Sequence, residues 1–118
     1  MFEMIFFATD AGRQPVKEFL DALDVKMRNK VLDNLKHLQI HGHHLRESYS
    51  KPLGDGIFEL RTRLGSDITR VLYFFFVGKR IVLTHGFVKK TQKTPPQEIE
   101  RAKEYRAMYH KREENSNG

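Results

Sequence analysis

Three apolar runs rich in β-branched and aromatic residues occupy residues 58–90 and predict three strands. Two glycine-containing pairs, Gly65-Ser66 and Gly78-Lys79, separate these runs. Each pair fits a two-residue loop of type II′, which needs a positive φ at its first position and joins neighbouring antiparallel strands. The stretch is therefore expected to form an antiparallel meander around which the rest of the chain is arranged.

The two loops also predict which residues face each other across the meander. Arg61 lies opposite Arg70, and Arg70 lies opposite Phe87. Because side chains alternate between the faces of a sheet, one face collects a polar set: Glu59, Arg61, Arg70, His85, Phe87 and Lys89. Two facing arginines repel each other, and such a local conflict is expected where function overrides stability. The alternative is that both guanidinium groups reach solvent, with one paired to Glu59.

The segment before the meander predicts one more strand and two helices. Phe2 to Ala8 is expected to join the same sheet, and Pro15 begins a short helix that ends near Leu23. Asp24 caps a second helix that runs to about Ile40 and stops at Gly42. Its predicted inner stripe consists of Val25, Val31, Leu32, Leu35 and Leu38.

The segments on either side of the meander predict a loop and a final helix. Residues 45–56 are expected to form a loop that leads into the sheet. The run Thr94-Pro95-Pro96-Gln97 fits a capping box, followed by an apolar stripe to about Lys111. Residues 113–118 are expected to fray. The whole chain, residues 1–118, therefore predicts a single domain.

Composition narrows the class of protein. The chain has 118 residues, 39% hydrophobic and 31% charged, as in globular domains. Twenty-one Lys and Arg against 15 Asp and Glu give a net charge of +6, which suggests a polyanionic partner such as nucleic acid. The absence of cysteine excludes disulfides and is compatible with a cytoplasmic protein. The apolar start lacks a basic region, so neither a signal peptide nor a membrane span is expected.

Two polar clusters have both an ordinary and a functional interpretation. The three histidines of His41-Gly-His43-His44 are expected to form a polar surface loop, although imidazoles at this spacing can bind zinc or nickel. The second helix carries four cations, which are expected to form a solvated face or, alternatively, to bind RNA: Lys26, Arg28, Lys30 and Lys36.

Several short segments together resemble a known family of toxins. They are Lys51-Pro-Leu, Glu59-Leu60-Arg61, Arg70-Val-Leu-Tyr73-Phe, and the run from Gly86-Phe87-Val88-Lys89-Lys90 to Lys93-Thr-Pro95. In this order they resemble the phage-derived, HigB-like branch of the RelE/ParE toxin superfamily. The resemblance implies an α+β fold, with two N-terminal helices packed on a twisted antiparallel sheet and a C-terminal helix.

The same resemblance implies a function and partners. RelE-type and HigB-type toxins cut mRNA in the ribosomal A site without a metal or other cofactor, whereas ParE-type toxins poison DNA gyrase. A cognate antitoxin, often a helix-turn-helix protein from the same operon, neutralises the toxin and binds the operator DNA with it. We therefore expect a ribosome-dependent mRNA endonuclease, with two alternatives: a gyrase inhibitor of the same fold, or a non-catalytic basic interaction module.

The predicted site combines groups that RNA cleavage by a neighbouring 2′-hydroxyl requires. Such a reaction needs a base, an acid and fixed cations for the charge that develops on phosphorus. Arg61, Arg70, Lys89 and His85 are the expected catalytic residues. Lys51, Phe87, Lys90 and Lys93 are the expected RNA-binding residues, with Phe87 either stacking on a base or packing in the core.

The chain departs from better understood toxins of this superfamily in one segment. Several of those toxins place a tyrosine or histidine near the C-terminal end of the sheet as acid or base, and Gly86 to Thr94 contains neither. The identity of the proton-transfer groups is therefore open. Lys89 or Lys93 can substitute if neighbouring cations lower the pKa of its ammonium group.

Overall fold

The computed structural model describes residues 1–88 and 92–117. Within them, the elements follow in the order β1 (Glu3–Phe6), α1 (Pro15–Ala22), α2 (Val25–His41), a 3₁₀ turn (Gly42–His44), β2 (Ser50–Gly54), β3 (Ile57–Leu64), β4 (Asp67–Phe76), β5 (Arg80–Val88) and α3 (Pro96–Asn117). No helix among these elements is long and apolar enough to cross a membrane.

The five strands form one sheet in the order β1-β5-β4-β3-β2. β1 pairs with β5 in parallel, and the other neighbours are antiparallel. Residues of α1 and α2 share one apolar cluster with Leu60 and Val71, whereas Ala102 and Tyr105 of α3 belong to a second cluster with Leu72. Because neighbouring strand residues point to opposite faces, the helices cover both sides of the sheet. This arrangement confirms the predicted α+β fold.

The register predicted for the first hairpin is confirmed. Gly65 has a φ of +62°, as a type II′ loop requires. Arg61 lies opposite Arg70, and Arg70 lies opposite Phe87. The described members of the predicted polar set therefore share a face, and this face is the one that α3 covers. Lys89, the remaining member, lies outside the described residues.

The second hairpin has a different turn from the predicted one. Phe76 pairs with Arg80, so three residues form the loop instead of the two-residue pair Gly78-Lys79. A register shift between Leu72 and Tyr73 compensates for the extra loop residue, because a β-bulge inserts one residue into one strand of the pair. The bulge restores the predicted partner of His85, which is why the predicted site register is right although the turn is wrong.

The second helix is capped as predicted but presents a different face to the core. Asp24 accepts a hydrogen bond from the Met27 N–H at 3.1 Å. The buried positions are Met27, Val31, Asn34, Leu35 and Leu38. Val25 and Leu32 are 62% and 44% exposed, so their assignment to the inner stripe is wrong. A stripe at spacings of three and four that begins at Met27 leaves both on the outer side.

The predicted loop at residues 45–56 contains an edge strand. β2 pairs with β3 and has a register irregularity between Pro52 and Gly54. Proline lacks an N–H and is confined to edge strands or bulges, which hid this strand from sequence reasoning.

The final helix is longer than predicted. α3 extends past Lys111 to Asn117, so residues 113–117, which were expected to fray, continue the helix. Arg80 of β5 donates hydrogen bonds to the Tyr109 hydroxyl at 2.9 Å and to the Glu113 carboxylate. These contacts fasten the second half of α3 to the sheet.

Replacing Gly42 with alanine is expected to lower the free energy of unfolding by about 1–3 kcal/mol. Gly42 ends α2 with φ +52° and ψ −121°, a conformation that L-residues rarely adopt. A β-carbon there would also overlap the Phe2 ring. Urea unfolding measures the loss, and Gly12→Ala is the control because a β-carbon at Gly12 meets nothing within 4 Å. Equal losses in the two variants would show that the Phe2 contact contributes nothing.

Candidate functional site

A buried ion pair lies at the centre of the polar face beneath α3. Arg70 Nη1 is 3.2 Å from Glu59 Oε1, and their side chains are 3% and 0% exposed. The Thr94 hydroxyl, just before α3, donates to the Glu59 carboxylate and accepts from Arg70. Arg70 Nη2 also donates to the Gln92 carbonyl at 3.0 Å. In this structure the guanidinium of Arg70 is therefore bound by protein groups.

The surroundings of Arg70 work against its charge. Burial lowers the pKa of its guanidinium, the Glu59 carboxylate raises it, and the neighbouring Arg61 lowers it further. An arginine nevertheless stays protonated in proteins. Glu59 thus offsets part of the cost of burying this cation.

Glu59 also explains how two arginines can face each other. Its Oε1 binds Arg70, while its Oε2 lies 3.7 Å from Arg61 Nε. Arg61 Nη2 donates to the Glu47 carbonyl at 2.8 Å, and the Arg61 side chain is 32% exposed. Arg61 therefore remains accessible to an anion from solvent, whereas Arg70 does not.

Three buried atoms of this cluster retain hydrogen-bonding capacity. Among the residues that the structure describes, Glu59 Oε2, Arg61 Nε and Arg70 Nε have no hydrogen-bond partner. Buried polar groups without a partner are uncommon and often mark functional positions. Glu59 Oε2 and Arg61 Nε are 3.7 Å apart.

His85 forms a second polar pair with α3. Its Nε2 lies 3.3 Å from Glu98 Oε1, and its Nδ1 lies 3.2 Å from the Thr84 hydroxyl. Burial lowers the pKa of His85 below 6.5, Glu98 raises it, and Arg101 lowers it. The imidazole is therefore neutral at pH 7 and is suited to accept a proton.

The free energy of unfolding is expected to fall as the pH drops from 7 towards 5, in part through His85. Because folding lowers the pKa of this imidazole, the unfolded chain binds its proton more readily, and stability is lost below the unfolded pKa of about 6.5. Urea unfolding at several pH values should show a shallower fall for His85→Gln. Identical slopes for both proteins would contradict a lowered pKa.

The predicted RNA-binding residues take up different positions. Lys51 is exposed on β2, and together with Arg61 it lines a cavity of about 330 Å³. Phe87 is half-buried and packs with the α3 cluster, its ring centroid 6.0 Å from that of His85. The contacts of Phe87 thus agree with the alternative that it packs in the core. Lys93 is exposed, and Lys89 and Lys90 lie outside the described residues.

Two polar residues of the cluster were missed by sequence reasoning. The sequence pattern predicts only a helix cap at Thr94 and no functional role for Glu98. The signal for Glu98 was its place in the first turn of α3, where acidic residues are also favoured by the helix dipole. Only the packing of α3 on the sheet brings these two residues to Glu59 and His85.

The histidine cluster at the end of α2 is arranged around an aromatic contact. His43 stacks on Phe75 with ring centroids 3.6 Å apart. Within residues 1–88 and 92–117, no three His, Asp or Glu side chains are grouped so as to hold a metal ion.

The arrangement can bind an anion at its surface and move a proton below it. Arg61 offers a forked donor of fixed charge that matches phosphate oxygens, and Lys51 adds a second cation beside it. His85 and Glu98 form a proton-accepting pair under the first turn of α3.

Comparison with known proteins gives the family. Residues 18–107 match the family described as "Phage derived protein Gp49-like (DUF891)". No curated protein matches the chain. Because the match covers most of the 118 residues, the chain belongs to this Gp49-like, phage-derived family, which is a RelE/HigB-like toxin family.

Proposed function

We propose that this protein is the toxin of a type II toxin–antitoxin system and acts as a metal-independent, ribosome-dependent mRNA endonuclease in the cytoplasm. Membership of the Gp49-like family suggests the toxin role. The observation that carries the nuclease proposal is the partly exposed Arg61 side chain, held by Glu59 and the Glu47 carbonyl beside Lys51. A fixed donor of this kind stabilises the charge that develops on a phosphate during cleavage.

In the proposed reaction the 2′-oxygen of one nucleotide attacks the adjacent phosphorus, and the bond to the 5′-oxygen of the next nucleotide breaks. The leaving oxygen takes a proton from water, which gives a 2′,3′-cyclic phosphate and a free 5′-hydroxyl. Arg61 and Lys51 contact the non-bridging phosphate oxygens, with Lys89 and Lys90 as further candidate cations and Lys93 as a further RNA contact. His85 accepts the proton of the 2′-hydroxyl, which its neutral imidazole permits.

The burial of His85 and Arg70 gives ribosome dependence a physical reason. Both residues are in contact with the start of α3 or the segment just before it: Arg70 with Gln92 and Thr94, and His85 with Glu98. RNA reaches His85, and Arg70 reaches a phosphate, only after these contacts open. We propose that binding in the ribosome supplies the free energy for this opening, because a partner that binds the open conformation more tightly shifts the equilibrium towards it.

Primer extension on a defined mRNA in a purified translation system tests the proposal. Cuts at codon positions that appear only with ribosomes, and persist when divalent metals other than Mg²⁺ are omitted, are the expected result. Intact mRNA in the presence of actively translating ribosomes would overturn the nuclease proposal.

A gyrase inhibitor is the second candidate, and one observation favours it. The polar face that was predicted to bind phosphate is partly closed by α3, with Arg70 and His85 buried. An inhibitor that only binds a protein has no need of an open catalytic face. Inhibition of gyrase supercoiling, with mRNA left intact, would identify this alternative, and harmless expression without any partner would identify a non-catalytic interaction module.

We further propose a cognate antitoxin, expected to be a helix-turn-helix protein from the same operon that also binds operator DNA. The net charge of +6 on the toxin supports a partner with acidic surface. Co-expression with the neighbouring gene should restore growth and yield a complex on size-exclusion chromatography. Growth arrest that persists despite its expression would contradict this partner.

A further inference from the structure

Three cavities adjoin one another along the segment between α2 and β3. The first has a volume of about 300 Å³ and is lined by three histidines together with Arg46 and Tyr49. The second, about 380 Å³, shares Tyr49 with the first and adds Lys30, Arg61 and Arg63. The third, about 330 Å³, shares Arg61 with the second and adds Lys51. We call this chain of cavities the Tyr49 groove.

The charge of the groove is strongly one-sided. Its lining residues include the five cations Lys30, Arg46, Lys51, Arg61 and Arg63 against a single carboxylate, that of Glu47. The whole chain has 21 basic and 15 acidic residues, so the groove is far more basic than the average of the chain. A basic cleft attracts a polyanion and follows its backbone.

Tyr49 is fixed at the junction of the first two cavities. Its N–H donates to the Arg46 carbonyl at 2.9 Å, and its carbonyl accepts from the Arg61 N–H at 2.7 Å. The side chain is nevertheless open, because the residue is 37% exposed. Its ring stands nearly parallel to that of His37, with centroids 6.3 Å apart. An aromatic ring anchored in this way can stack on a nucleic-acid base.

The floor of the second cavity is also held in place. Asn34 is buried and donates to the Thr62 hydroxyl at 2.9 Å, and Lys30 Nζ donates to the Arg63 carbonyl. Apolar side chains are few along the groove, represented by Leu45, Pro52 and Ile68. A protein partner usually needs an apolar centre to its interface, so the lining favours a nucleic acid.

We propose that the Tyr49 groove binds single-stranded RNA, with one base stacked on Tyr49 and the backbone running past Arg63 to Arg61. The proposal rests on the proposed function, because it leads the strand to the residue assigned to the scissile phosphate. It extends the site to Arg46, Tyr49 and Arg63, which the sequence did not single out, and to Lys30, one of the four helix cations for which RNA binding was an alternative. The strand is that of the mRNA, and ribosomal RNA is an alternative occupant.

Fluorescence anisotropy with a short 2′-O-methyl RNA tests the groove, since this RNA lacks the 2′-hydroxyl needed for cleavage. Tyr49→Ala is expected to weaken binding about tenfold, because stacking of one base is worth roughly 1–3 kcal/mol. Tyr49→Phe should bind like the wild type. Arg63→Ala should weaken binding and reduce the slope of log affinity against log salt concentration by about 0.7.

The matched control is Lys26→Ala. Lys26 is exposed on α2 one turn before Lys30 and is not among the residues that line the groove. It should bind RNA like the wild type, whereas Lys30→Ala should not. Circular dichroism melting confirms that each variant is folded. Equal RNA affinity of all variants would overturn the proposal. It would also be overturned if Tyr49→Ala weakened binding to ribosomes but left binding to the short RNA unchanged.

The outcomes separate this proposal from the proposed function. Binding that depends on Tyr49 and Arg63, without mRNA cleavage in the translation system, would support the groove and overturn the nuclease. Ribosome-dependent cleavage with no effect of Tyr49→Ala on binding or cutting would support the nuclease and overturn the groove.

Discussion

Replacing Arg70 with methionine is expected to lower the free energy of unfolding by about 3–5 kcal/mol. The substitution leaves the Glu59 carboxylate fully buried without the cation 3.2 Å away, and Arg61, at 3.7 Å, and the Thr94 hydroxyl compensate only in part. A buried charge without its partner is far more costly than a buried pair. Urea unfolding followed by circular dichroism measures the change, with the slope of the transition used to check that the unfolded states are comparable.

The matched control combines Arg70→Met with Glu59→Gln. Removing both charges should recover most of the lost stability, and a double-mutant cycle then gives the coupling between the two residues. Cleavage by the stable double variant separates structure from chemistry. Full activity would assign the pair a purely structural role, whereas a stable but inactive double variant would support contact with RNA. A loss below about 1 kcal/mol in the single variant would contradict a buried ion pair.

Replacing Arg61 with alanine is expected to slow ribosome-dependent mRNA cleavage about 10²–10³-fold, the usual effect of removing one fixed donor from a developing charge. The free energy of unfolding should change by about 1 kcal/mol or less, because the side chain is 32% exposed and the substitution removes one hydrogen bond, to the Glu47 carbonyl. The rate at which cut mRNA appears on programmed ribosomes measures the effect.

Two further variants make this result specific to position and shape. Arg61→Lys should retain an intermediate rate, because an ammonium group keeps the charge but loses the planar fork. Arg13→Ala removes an exposed arginine that pairs with Glu18 and should cut like the wild type. Equal rates for wild type and Arg61→Ala would remove Arg61 from the catalytic residues.

The register of the site could be predicted from the sequence because it depends on local rules. Gly65 sets the first turn, and alternation along the strands then places Arg61, Arg70 and His85 on one face. The second turn was predicted wrongly. The predicted partners of the site residues are nevertheless right, because a bulge between Leu72 and Tyr73 offsets the extra residue in the second turn.

The burial of the site could not be predicted, because it depends on long-range packing. Nothing local to Glu98 indicates that it approaches His85, and nothing local to Thr94 indicates that it binds Glu59. Similarly, alternation places Arg61 and Arg70 on the same face but says nothing of which one α3 covers. The Tyr49 groove could not be predicted for the same reason, since its residues come from α2, the turn and loop that follow it, and the three strands β2, β3 and β4.

The parallel pairing of β1 with β5 has a consequence for how the protein is made. Glu3 cannot pair with Arg80 until Arg80 has been synthesised, 77 positions later in the chain (80 − 3). At ordinary rates of synthesis this is a delay of roughly 4–15 s, during which the N-terminal strand has no partner in the sheet. The covering helix α3 is made later still. The fold is therefore complete only after α3 has been synthesised, when all five strands are already available to pair.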